Sequence, residues 1–165
     1  MWTRKSYHEI ASELNSISER FRAAEAGCLP FDSDRLRQTM IETSISGVEL
    51  LRALALAIRS EQDYGNGLRG DEIVGCLVSD TDQASYLVNQ HKGIPESFAP
   101  QSIGLRDALN KVAHANPGLS SYNVEGDRHD LILSGTLRSQ NWVAVISLPK
   151  IADVLRAFPD HRVPE

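Results

Sequence analysis

The stretch Asp130-Leu131-Ile132-Leu133-Ser134-Gly135-Thr136-Leu137-Arg138-Ser139-Gln140-Asn141-Trp142-Val143-Ala144-Val145-Ile146-Ser147-Leu148 decides the fold class. Its two apolar runs flank a polar stretch of hairpin length, and the pattern alternates where the chain before Gly118 keeps a helical period. Residues 130–137 and 142–148 are therefore expected to be strands joined through 138–141, with 121–125 as a third. Candidate inward residues are Leu131, Leu133, Leu137, Val143 and Val145.

Working outward, Ser147 and Pro149 suit the start of a closing helix, and Ile151, Val154, Leu155 and Phe158 give it one apolar stripe. Pro159 stops it. At the other end, Tyr7, Ile10, Leu14, Ile17, Phe21 and Ala24 recur at steps of three and four, predicting a helix over 7–26 that Gly27 ends. Residues 28–31 read as an apolar connector. Asp32, Ser33 or Asp34 can cap a long second helix to about Ser60, with Leu36, Met40, Val48, Leu51, Leu54, Ala55 and Ile58 on its apolar side. Apolar residues almost encircle it around 50–58, as expected for a helix enclosed by neighbours, and Gly47 suits close approach of another helix. Shorter helices are expected over 71–78, 80–92 and 103–115, the last capped by Ser102 after a loop over 97–101.

The expected architecture is α+β: an antiparallel helical bundle of four to five helices, then a three-stranded antiparallel sheet and a C-terminal helix. One domain spans 1–165, with the helical portion over about 1–116 and the sheet plus closing helix over about 119–158.

Composition bounds the function. The 165 residues are 41% hydrophobic and 24% charged, the balance of a globular chain, and the net charge of −5 argues against a broadly cationic nucleic-acid coat. Asp71, Glu72, Asp80 and Asp82 supply most of that excess, so a local basic stripe fits the arithmetic. Cys28 and Cys76 stand in no ligand spacing. No signal-peptide core follows the basic pair Arg4-Lys5, and the apolar run 53–58 is far short of the roughly 20 residues of a membrane span. A cytoplasmic protein without cofactor or metal is expected.

Several motifs have a plain structural explanation. Residues 65–70 spell GxGxxG, but they follow a helix rather than a strand and read as a connector. Asp80-Thr81-Asp82 opens like a calcium loop yet lacks its later glycine and glutamate. Asp127-Arg128-His129-Asp130 offers oxygen and nitrogen ligands without distant partners, and a polar turn accounts for it. Trp2, Tyr7, Ile10 and Leu14 form an apolar edge that serves either a partner subunit or the chain's own core.

The helix over 103–115 carries the candidate site. Arg106, Asn110 and His114 lie four residues apart on one face, opposite Leu105, Ala108, Leu109 and Val112. An arginine can hold a phosphate while a histidine moves a proton near neutral pH, the two tasks of RNA cleavage through the 2′-hydroxyl. A solvated helix face explains the same residues, with His114 favoured near the C-terminus by the helix dipole.

The run Leu105-Arg106-Asp107-Ala108-Leu109-Asn110-Lys111-Val112-Ala113-His114-Ala115 resembles the Arg-polar…His signature of HEPN-type helical domains, a bacterial and archaeal group frequent in toxin–antitoxin and phage-defence systems. In that family the three residues meet at a dimer interface and cleave RNA without metal, and many relatives are inactive partners. The resemblance implies Arg106, Asp107 and His114 as the catalytic set. It reaches only to about residue 116, and seven residues separate Arg106 from His114 where the family has four to six. The leading expectation is a bacterial-type binding or assembly protein, a homodimer that meets a protein partner or RNA and has no catalysis of its own. The alternative is a metal-independent endoribonuclease.

Overall fold

The computed structural model describes residues 5–31, 33–63, 70–81, 98–116, 118 and 120–159. These fall into two compact units, one over 1–68 with 148–165 and one over 69–147. The class is α+β, as the change of period indicates.

The first unit is helical. Helix α1 (Tyr7–Phe31) packs against both α2 (Asp34–Asp63) and the closing helix, α4 (Leu148–Ala157). Tyr7, Ile10, Leu14, Ile17, Phe21 and Ala24 are all buried, so the apolar edge at the chain start belongs to the core; Trp2 lies outside the described residues. Gly27 does not end α1, which continues through the expected connector to Phe31. The glycine instead permits close approach: a β-carbon at 27 would stand 2.8 Å from Leu36 Cδ1 of α2. Helix α2 begins where its cap residues indicate, with Arg37 N–H donating to the Ser33 carbonyl at 3.0 Å. Along α4, Leu148, Ile151, Ala152 and Leu155 are buried. Two polar links tie α4 to α1: His8 Nε2 donates to the Phe158 carbonyl at 2.8 Å, and Arg156 donates to the Asn15 carboxamide oxygen.

The second unit is a five-stranded antiparallel sheet with one described helix against it. The strands are β1 (Ile73–Ser79), β2 (Gln101–Gly104), β3 (Ser121–Glu125), β4 (Arg128–Leu137) and β5 (Gln140–Ser147), in the order β2-β1-β5-β4-β3. Helix α3 (Leu105–His114) follows β2 directly. The three expected strands are β3, β4 and β5, but the sheet has five: β1 replaces the helix expected over 71–78, and β2 takes Gln101 from the expected loop, Ser102 from the expected cap and Ile103 and Gly104 from the start of the helix expected over 103–115, so that α3 begins only at Leu105. In place of four to five bundled helices, the described residues contain four, one of them on the sheet. The expected helix over 80–92 lies mostly outside the described residues.

Strand β1 forms because Ile73-Val74-Gly75-Cys76-Leu77-Val78 is a run of apolar and β-branched residues between two neighbours. Gly75 lets β5 approach, since a β-carbon there would collide with the Val145 carbonyl oxygen. The expected alternation gives way to continuous burial in the central strands. Leu131 and Leu133 pair with Ile146 and Ala144 on one face, while Ile132, Val143 and Val145 form a core cluster on the other, with Cys76 packed against it. Leu137 is the exception among the expected inward residues: it ends β4 at 61% exposure, beyond the reach of the core. The β4–β5 turn is only Arg138-Ser139, both at positive φ (49° and 67°), the backbone of a tight two-residue hairpin.

Candidate functional site

Helix α3 is fixed from its first turn. Gly104 is the N-cap, without a side-chain cap bond, and Ser102 belongs to β2 rather than to the cap. Backbone carbonyls take over that role: Leu105 N–H donates to Glu72 and Arg106 N–H to Gly70, each at 3.0 Å. Gly70 adopts φ +37° and lies so close that a β-carbon would stand 2.7 Å from Arg106 Cβ. The last glycine of the GxGxxG stretch thus packs on a helix start; the preceding 64–69 lie outside the described residues. Leu105, Ala108, Leu109 and Val112 are buried.

The inner side of α3 is further set by Trp142 on β5. Lys111 Nζ sits 4.5 Å from the Trp142 ring centroid, which places α3 over the sheet face that bears this tryptophan. Trp142 in turn lies flat across Gly135 of β4, where a β-carbon would run into its six-membered ring. Burial pulls the Lys111 ammonium below the usual lysine range, while the Asp107 carboxylate one turn away acts in the opposite direction. Beyond α3, Asn116 N–H donates to the Ser134 carbonyl at 2.9 Å, closing β4 where β3 no longer pairs with it.

Arg106, Asp107, Asn110 and His114 are all exposed on α3. Arg106 and His114 stand eight residues apart, a rise of about 12 Å along the axis. Among the described residues neither of these two side chains has a hydrogen bond or ion pair. The helix lines the stripe up, as its spacing requires, and no second element supplies a group between its ends among the described residues.

Asp127-Arg128-His129-Asp130 is the turn into β4 and its first residues. Alternation along the strand sends His129 to one face and Arg128 and Asp130 to the other, and Arg128 Nε donates to Asp130 Oδ2 at 2.6 Å. His129 is fully buried, its ring 5.0 Å from that of Tyr122. The ligand set is split by the pleat, and the described residues hold no cluster of three or more metal-ligating side chains.

Sequence periodicity leaves out one surface. Helix α2 buries Leu50, Leu51, Leu54 and Ile58, yet Ile41, Ile45 and Leu56 are 53%, 54% and 59% exposed. The helix is not enclosed; it has two apolar sides. The signal is present in the sequence, since Ile41, Ile45 and Leu56 keep the steps of four and eleven that return to one face, but it merges with the inner stripe when apolar residues are read together. No described helix is long and apolar enough to cross a membrane. Comparison with known protein families, curated proteins and solved structures finds no match to this chain.

Proposed function

We propose that this chain is a binding or assembly protein, without catalysis of its own, that meets a protein partner through the outer face of α2. The observation that carries the reading is the second apolar side of that helix: three large aliphatic residues more than half exposed along one line. Single exposed apolar residues are ordinary on a protein surface, whereas an aligned set along a helix marks a contact. The test is a photo-crosslinking amino acid at position 45 in the native cell. Adducts at 45 and none at Arg138, on the exposed hairpin tip, support the reading. A chain that forms no adduct at 41, 45 or 56 overturns it.

The second reading is metal-independent RNA cleavage, with Arg106 holding phosphate, His114 moving the proton and Asp107 beside them. It draws on the exposure of all these side chains along α3. Cleavage of single-stranded RNA in EDTA that disappears in His114→Ala, with the fold intact, would establish it in place of the first.

A further inference from the structure

The outer face of α2 has a pattern that specifies its occupant. At 100° per residue, Ile41, Ile45, Val48, Arg52 and Leu56 fall within an arc of about 80°, with Glu49 at its margin. The inner residues from Leu50 to Ile58 occupy the opposite side, so the two apolar faces are distinct. Midway along the length of the outer face stand one acid and one base, Glu49 at the edge of the arc and Arg52 within it. Glu49 is exposed, Arg52 half-buried, and neither has an ion-pair partner within the chain among the described residues.

We propose that this face pairs with the same face of a second copy of the chain, as an antiparallel two-fold helix pair; the inference rests on the binding reading above and names its partner. Charge decides the direction. In a parallel in-register pair, Arg52 would lie beside Arg52 of the partner subunit and Glu49 beside Glu49 of the partner subunit, which is repulsive at both positions. Turning one helix around places Glu49 opposite Arg52 of the partner subunit. The same register sets Ile45 opposite Leu56 of the partner subunit, because the step from Ile45 to Glu49 equals the step from Arg52 to Leu56. One register thus satisfies the charges and the apolar contacts together, and the two-fold repeats each pair, as an isologous interface requires. The seam from Ile41 to Leu56 is about 22 Å long. A two-helix seam of this length belongs with the small specific interfaces, on the order of 1,000 Å² in total, the size class of weak, concentration-dependent association.

The test is sedimentation equilibrium of the full chain from about 1 to 200 µM, with circular dichroism to check each variant's fold. The native chain is expected to show a reversible monomer–dimer equilibrium, and Ile45→Asp to raise the dissociation constant at least tenfold. Glu49→Arg and Arg52→Glu each bring like charges together at both ends of the two-fold, so each alone is expected to weaken the dimer. Mixed one to one, they restore opposite pairs and form a heterodimer of near-native affinity. A native chain that remains monomeric throughout, a dimer indifferent to these substitutions, or a mixture that fails to associate overturns the proposal. If crosslinks at position 45 then run at a mass other than twice the chain, the binding reading stands and the second copy is removed; if no crosslinks form, both are removed.

Discussion

Helices α2 and α3 each press an apolar stripe against their own unit, yet they present opposite surfaces outward. On α3 the outer positions are Arg106, Asp107, Asn110 and His114, all polar and exposed, so solvation alone accounts for that side. On α2 the outer positions include Ile41, Ile45 and Leu56, which solvation does not explain. A polar face needs no occupant, whereas an aligned apolar face leaves area in water that a partner removes. Of the two helices, α3 carries the more chemically varied side chains and α2 the less soluble surface.

The largest effect that bears on this contrast lies within α2 itself. Leu54 is fully buried and Leu56, two residues on, is 59% exposed. Leu54→Ala is expected to cost about 2–5 kcal/mol of stability, the range for emptying a packed site. Leu56→Ala, measured in dilute solution where the chain is monomeric, is expected to stay within about 0.5 kcal/mol. Urea denaturation below 1 µM checks both. Equal losses at the two positions would mean that α2 has one continuous buried surface, and the distinction between its faces would fail.

The same contrast explains what was legible in the sequence. Helices α1, α2 and α4 announce themselves through steps of three and four because each buries a defined stripe, and strands β3 to β5 through their polar turns. Residues 71–78 are misread because Asp71 and Glu72 imitate the acidic start of a helix, while the run after them is apolar at nearly every position and so shows no alternation, although only Val74 and Val78 of it are buried. Gly75 in mid-run was the available clue, since a glycine inside an apolar stretch marks close backbone approach. Strand β2 has only four residues, too few for any period to show. The spacing of Arg106, Asn110 and His114 correctly gives a shared helix face, but convergence with other elements is a property of tertiary structure, which spacing does not encode.

A second, smaller effect sharpens the inner side of α3. Gly135 leaves room for Trp142, over whose ring Lys111 rests, so sheet and helix share one packing unit. Gly135→Ala is expected to cost about 1–3 kcal/mol by overpacking against the ring, with a change in near-ultraviolet circular dichroism that reports the displaced indole. An unaltered spectrum and unaltered stability would show that Trp142 is not held there.

Lys111 gives a weaker signature of the same contact. Burial lowers its pKa from 10.5, with Asp107 opposing the shift. Between the lowered value and 10.5, the unfolded chain binds a proton that the folded chain has released. The sign follows: stability gains a small increment as pH rises through this window, and the increment is absent at lower pH. Because Lys111 is only half-buried, solvent keeps the slope shallow. Denaturation midpoints from pH 8 to 10.5 should therefore rise slightly more steeply in the native chain than in Lys111→Met, which has no ammonium to titrate. Parallel profiles would show that the lysine is equally solvated in both states.

The smallest effect is expected on the outer side of α3, and it tests the contrast most directly. Arg106 and His114 lie about 12 Å apart along one helix, with no side-chain partner among the described residues. Removing either should leave stability within about 0.5 kcal/mol, as for other surface positions without a specific contact. If the face is only solvated, the purified native chain also leaves single-stranded RNA intact in EDTA. Metal-free cleavage at a rate that falls with His114→Ala would reverse the ranking of the two helices: the polar face of α3 would be the working surface, and the apolar face of α2 would serve only to bring copies of it together.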